Sequence, residues 1–313
     1  MGTIWIMGEL LAEIMRPRVG MTLSEIGDFT GPFPSGAPGN FIDTVVKLGH
    51  KGGIISGVGD DDFGRCITDR LERDGVDCRY VLKSGNNSTA VAFVTYFDDG
   101  SRKFIFHIGN TPVAEARAPD MAGIGEVNYF HMMGCSLMAA PSLYSEMIKA
   151  MRGFAAKGAK ISFDPNIRPE LLKGRPLESI IGPVMELCNV LMPGVEELKL
   201  ISGCETVESG VKKLFENPAL EYIALKRGGD GCTIYTGADD KGFDFGIYKV
   251  EVRDPTGAGD SFDAGFLCGL CEGLSIEETV KMATAAAALN TAAFGPMEGD
   301  ISRETVRAMI DRG

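Results

Sequence analysis

The chain has 313 residues, 44% of them hydrophobic and 24% charged, with a formal net charge of -12. That length supports one large α/β domain with a sizeable core, and the acidic balance excludes a nucleic-acid binder, whose affinity rests on basic surface. An anionic ligand must therefore meet a local basic patch or arrive with a cation.

In chain order, Met1-Gly2-Thr3-Ile4-Trp5-Ile6-Met7-Gly8 opens on a strand and carries no basic leader. No apolar run reaches the ~20 residues of a membrane span, so the expected compartment is the cytoplasm. Short apolar runs bounded by glycine predict strands at 3–7, 53–56, 129–132, 160–163, 190–192, 222–225 and 233–235. Helical patterns fall between and after them, at 40–48, 64–74, 141–157, 177–188, 195–202, 207–217, 261–271 and 276–294. This alternation is the signature of a three-layer α/β/α domain with a mainly parallel sheet, here spanning residues 1–313.

One stretch breaks the rhythm. Residues 89–97 and 102–108 flank Asp98-Asp99-Gly100-Ser101 and read as a β-hairpin, with 11–16 as a further strand. No helix separates them, so they form a second, small sheet, drawn from about 11–35 and 89–108. Eight cysteines scatter through apolar segments and read as reduced core thiols. Cys268-Gly269-Leu270-Cys271 stands without a second pair and is not read as a metal or redox site.

The chemistry concentrates in Asp254-Pro255-Thr256-Gly257-Ala258-Gly259-Asp260-Ser261-Phe262. Gly257 and Gly259 stand where a loop enters a helix, so backbone N–H groups and the helix dipole face one point suited to phosphate. Asp260, in the same first turn, can accept a proton from an attacking hydroxyl. A dinucleotide fingerprint would need a third glycine where Phe262 stands, and no Gly-Lys-Ser/Thr loop occurs.

These nine residues resemble the C-terminal signature of the ribokinase-like, or phosphofructokinase-B type, carbohydrate kinases. Other runs carry the same resemblance in family order. Ser35-Gly36-Ala37-Pro38-Gly39-Asn40 is similar to the sugar-binding turn, with Ser35 in place of a glycine. Gly57-Val58-Gly59-Asp60-Asp61-Asp62-Phe63-Gly64, Asp164-Pro165-Asn166-Ile167-Arg168 and Lys226-Arg227-Gly228-Gly229-Asp230-Gly231 match further segments.

The resemblance implies an ATP- and Mg²⁺-dependent sugar kinase with the small sheet as a lid and homodimer interface. It makes Asp260 the base and the Gly257, Ala258 and Gly259 N–H groups the anion hole, with Arg168 as cationic partner and Asn166 beside it. Glu13, Gly36 and Asn40 would hold the sugar, covered by Phe93 and Phe106, with Thr95 and Phe104, from the lid. Arg102 and Lys103, near the hairpin turn, are expected to face solvent. Lys226, Gly228 and Gly231 would line the nucleotide phosphates, Asn290 the adenine edge, and Asp254 and Thr256 a monovalent cation such as K⁺. Glu197 keeps the acid of a Mg²⁺-positioning segment in which Gly194 replaces the usual asparagine.

Gly31-Pro32-Phe33-Pro34-Ser35-Gly36-Ala37-Pro38, residues 59–65 and 163–170, and Gly295-Pro296-Met297-Glu298-Gly299 resemble bacterial tagatose kinases. The expected substrate is D-tagatose or a close ketohexose epimer, with 2-keto-3-deoxygluconate kinase and fructokinase as alternatives. A non-catalytic sugar-binding regulator is disfavoured, because the base and the glycine loop are both intact. A nicotinamide dehydrogenase is disfavoured by the missing fingerprint.

Overall fold

The computed structural model describes residues 1–172, 174–237 and 241–313. Nine strands form the large sheet: β1 (Thr3–Met7), β4 (Lys51–Gly59), β5 (Asp77–Ser84), β8 (Tyr129–Met133), β9 (Lys160–Asp164), β10 (Cys188–Leu191), β11 (Tyr222–Lys226), β12 (Cys232–Thr236) and β13 (Phe243–Phe245). Four form the small one: β2 (Leu11–Met15), β3 (Thr30–Ser35), β6 (Ala90–Tyr96) and β7 (Arg102–His107). The large sheet runs β13-β12-β11-β10-β9-β8-β1-β4-β5, parallel from β11 to β5 with an antiparallel edge at β12 and β13.

Side chains of β1 alternate between two cores. Ile4 and Ile6 pack on one face with the helices Ala37–Lys47, Ala258–Glu272 and Ile276–Thr291. Trp5 and Met7 pack on the other with Pro141–Ala156 and Leu177–Met185. Burial on both faces is why these strands read as apolar runs rather than as alternating ones. No helix among the described residues is long and apolar enough to cross a membrane.

The structure adds elements the periodicity did not predict. The edge strands β5 and β13 and the last helix, Arg303–Arg312, are half exposed and rich in polar residues. They offer no apolar run to detect. Ser302 caps that helix by accepting from the Thr305 N–H.

In the small sheet, β2 pairs β6 in parallel, and β3 and β7 add antiparallel edges. The register places Glu13, Ala92 and Phe106 on one row, and Ile14, Phe93 and Ile105 on the next. Successive residues of a strand face opposite sides. The first row faces the large sheet and the second faces away. The Thr95 hydroxyl donates to Met21 O at 2.6 Å, which ties the outer face to the 16–29 loop. Arg16 stacks over Phe29 in that loop, 3.8 Å from the ring centre.

Candidate active site

Strand order reverses beside β1: the chain moves outward to β4 and β5, then returns to β8 and runs the other way. Crevices for ligands open at the carboxyl ends of strands around such a point. The ends of β1, β8 and β9 meet the glycine loop there, around a cavity of about 220 Å³ lined by Glu13, Asn40, Phe106, Arg168 and Asp260 among others.

Gly257 adopts φ 80°, and a Cβ there would stand 2.6 Å from Pro296 O, so only glycine fits this corner. The helix Ala258–Glu272 begins at once, with no side chain capping it. Its first bonds are Ser261 N–H to Gly257 O at 2.8 Å and a longer turn bond from Ala258 N–H to Pro255 O at 3.3 Å. Of the three N–H groups expected in the anion hole, that of Ala258 is thus partly engaged, and the helix N-terminus favours negative charge in front of it.

Asp260 is buried, and its Oδ2 accepts from Asn40 Nδ2 at 2.9 Å. Burial pushes its carboxyl up to about 6, against the Asn40 hydrogen bond that favours the ionised form. Asn40 stands in the first turn of Ala37–Lys47, whose N-cap Gly36 has φ 102°. A Cβ on Gly36 would lie 2.4 Å from Glu9 O, which fixes this close turn against the end of β1.

Two buried polar atoms of the cavity lining have no protein partner: Asn40 Oδ1 and Glu13 Oε1. Buried polar groups are normally satisfied, so such atoms on a cavity wall point to ligand donors. The other Glu13 oxygen accepts from the Ser35 hydroxyl at 2.7 Å. Ser35, which departs from the family pattern, therefore supports the acid. Burial pushes the Glu13 carboxyl up to about 7, so near neutral pH it can donate as well as accept.

Arg168 lines the cavity and donates to Ile167 O at 3.2 Å. Among the described residues no carboxylate pairs with it. Asn166 lines the same wall at φ 35°, and its N–H is accepted by Asp164 Oδ1 at 3.1 Å. It is the one non-glycine residue with positive φ among those described. Glu197 accepts from Gly194 N and from Ile167 N, each at 2.8 Å, so its carboxylate braces the loop that carries Asn166 and Arg168.

The lid residues need correction. Ala92, Arg102, Phe104 and Phe106 line the cavity, whereas Phe93 lies on the outer face, 5.7 Å from the Phe29 ring. Thr95 also faces outward. Arg102 is exposed, as expected, yet it shares the Tyr96 row on the inner side and lines the cavity, where its charge lowers the Glu13 carboxyl against burial.

Glu9 was not anticipated. It is buried on the cavity wall, accepting from the Ser136 hydroxyl and the Cys135 thiol, and burial raises its carboxyl. Its only sequence signal is its place just after the strand-end Gly8.

A second cavity, of about 490 Å³, opens on the far side of the glycine loop. Gly228 and Gly231 line it with Val250, Phe262, Ala287 and Thr291, a mainly apolar slot of the size that takes drug-sized ligands. Lys226 lies between the two cavities. Its ammonium is 3.0 Å from Asp164 Oδ2 and 3.1 Å from Asp263, and would be 3.7 Å from a Cβ on Gly259. Burial pushes both carboxyls up, but the shared ammonium holds Asp164 below the ordinary range, while Asp263 remains well above it.

Asn290 lies elsewhere than expected. It is buried, and its Nδ2 donates to Thr256 O at 2.6 Å, so it supports the glycine loop from below and does not line the apolar slot.

The pattern of the pfkB family carbohydrate kinases matches residues 14–302. The chain belongs to that family, whose members are ATP-dependent sugar kinases. Fructokinase-1 of Oryza sativa subsp. japonica is 30% identical, covering 92% of this chain and 91% of its own. The fructokinase of Salmonella typhimurium is 28% identical, covering 96% and 98%. A structure from E. coli, provisionally named ribokinase II and solved with ATP and Mg²⁺, matches with a TM-score of 0.91 at 35% identity, covering 100% of both chains. The kinase thus has the ribokinase-like fold, with a large mainly parallel sheet and a separate small one.

Proposed function

We propose that this kinase transfers the γ-phosphate of ATP to a terminal hydroxyl of a neutral ketohexose, with Asp260 as the base. The observation that carries this reading is the pair of cavities on either side of one glycine loop. The smaller is polar, with Asn40 Oδ1 and Glu13 Oε1 unpartnered; the larger is apolar and suits a nucleobase and ribose. Gly259 and Pro255 line both, and Asp260, next to Gly259, lines the smaller one, buried and bonded to Asn40.

The sugar hydroxyl would lie against Asp260, which takes its proton as the new O–P bond forms. The N–H groups of Gly257 and Gly259 and the guanidinium of Arg168 face charge developing on the transferred group. Among the described residues no cluster of three or more metal-binding side chains exists. The site therefore fits Mg²⁺ carried by the nucleotide phosphates and water, with Glu197 near it, rather than a protein cage. When bound, the ion neutralises charge on the β- and γ-phosphates.

The names of the curated relatives support D-fructose, and the runs shared with tagatose kinases support its epimer D-tagatose. Arg102 on the cavity wall favours a second reading, an acidic acceptor such as 2-keto-3-deoxygluconate. Glu9, Glu13 and Asp260 line the same cavity, and these acids disfavour a carboxylate acceptor, which keeps the neutral sugar first. Release of ADP across the three sugars tests this: ketohexoses should exceed the keto acid at least ~10-fold in kcat/KM. If the keto acid ranks first, Arg102 and Arg168 become its carboxylate anchors.

The outer face of the lid, with Ile14, Phe93 and Ile105 in register and Phe29 beside them, is the surface proposed for a second copy. A monomer alone at micromolar concentration in sedimentation would refute the dimer.

A further inference from the structure

The family resemblance assigns the turn Asp254-Pro255-Thr256 to a monovalent cation, yet its oxygens already hold protein donors. Asp254 is 1% exposed. Its Oδ1 accepts from the Thr256 N–H at 2.9 Å and from the Tyr96 hydroxyl at 3.0 Å, and its Oδ2 accepts from the Gly295 N–H at 3.0 Å. The Thr256 carbonyl accepts from Asn290 Nδ2 at 2.6 Å, and the Thr256 hydroxyl hydrogen-bonds the Tyr96 oxygen. The single Tyr96 proton goes to Asp254, so the Thr256 hydroxyl donates to Tyr96, and each donor is used once.

A cation binds through oxygen lone pairs, and here the Thr256 N–H and the Tyr96 hydroxyl fill both lone pairs of Asp254 Oδ1, leaving one on Oδ2 and one on the Thr256 carbonyl. Two remaining lone pairs make this turn a poor K⁺ site. Tyr96 belongs to β6, so its bond to Asp254 also ties the lid to the turn that leads into the glycine loop.

We propose that Tyr96 is a positioning residue that takes the place of the monovalent cation: its hydroxyl, carried in by the lid, fixes the Asp254–Pro255–Thr256 turn, and this kinase needs no K⁺. The proposal rests on the kinase reading but not on which sugar is the acceptor. Removing the hydroxyl leaves a carboxylate lone pair and the Thr256 hydroxyl without a partner in a buried pocket. That pocket then suits a cation, so Tyr96→Phe should acquire a K⁺ response that the parent lacks.

The test compares KCl with choline chloride at matched ionic strength, for the parent and for Tyr96→Phe, by melting without sugar and by turnover with any sugar that reacts. The parent should show no melting rise in K⁺ beyond the choline control, and a kcat change under about twofold. Tyr96→Phe should lose more than about fivefold in kcat in choline, with K⁺ recovering part of the loss and raising its melting temperature. A K⁺-dependent melting rise or a larger K⁺ activation in the parent overturns the proposal, and so does a smaller loss in the variant or one K⁺ does not recover. If the variant does not fold, the parent melting and turnover decide alone. Because melting needs no acceptor, a wrong substrate assignment leaves that arm intact.

Discussion

Replacing Asp260 by Asn should make this kinase inactive and more stable at once. The carboxyl ionises near 6 in the fold, against an ordinary 3.8, with burial the main cause. A group that holds its proton more tightly when folded makes stability fall as pH rises from 3.8 to about 6, and the loss persists above that. At about 1.4 kcal/mol per tenfold change in proton affinity, ionised Asp260 costs about 3 kcal/mol at about pH 8 and about 1 kcal/mol near pH 4.5. Asn keeps an acceptor for Asn40 Nδ2, so the change removes the charge and little else. With ~2.1 cal/mol/K of unfolding entropy per residue, the variant should melt about 5 °C higher near pH 8 and under ~2 °C higher near pH 4.5. Calorimetry at the two pH values measures the difference. Turnover should fall ~10²–10⁴-fold while both substrates still bind. An unchanged or lower melting temperature near pH 8 would refute the burial argument. Retention of more than about a tenth of turnover would remove Asp260 as base.

Two further substitutions separate chemistry from architecture. Lys226→Met leaves Asp164 and Asp263 buried without their shared ammonium, and should cost ~3–5 kcal/mol in denaturant unfolding. Arg168→Ala removes a cation that no acid pairs with, so stability should change by under ~0.5 kcal/mol while kcat falls ~10²-fold or more, read by steady-state assay.

The central strands were legible because burial on both faces leaves only apolar residues, as in Ile4, Trp5, Ile6 and Met7. The glycine loop was legible because Gly257 occupies a backbone corner that no side chain fits. The lid was legible as a hairpin but not as a face. Phe93 and Phe106 look alike in sequence, yet a register set by pairing puts Phe93 opposite Ile105 and Phe106 opposite Ala92, on different sides. Both sides of the sheet are partly apolar, so alternation could not choose between them. Asn290 fails for another reason. An amide suits a nucleobase edge and a backbone carbonyl equally, and only the fold shows that Thr256 O takes it.

A chain with a net charge of -12 must still bind anions, and the cleft indicates how. The smaller cavity, where the proposed reading puts the sugar and the transferring phosphate, is lined by three acids, Glu9, Glu13 and Asp260. Burial pushes all three upward, to about 7 for Glu13 and about 6 for Asp260. The Glu13 charge at neutral pH is therefore smaller than a count of carboxylates suggests. On the phosphate side, the helix N-terminus and Arg168, which no carboxylate pairs with among the described residues, supply attraction, while Lys226 is held between Asp164 and Asp263. The same burial that raises Asp260 brings it near the pH at which a base can both be ionised and accept a proton readily. Desolvation thus serves two ends in the proposed mechanism: it lowers the charge of Glu13 beside the phosphate, and it tunes Asp260 to take the hydroxyl's proton.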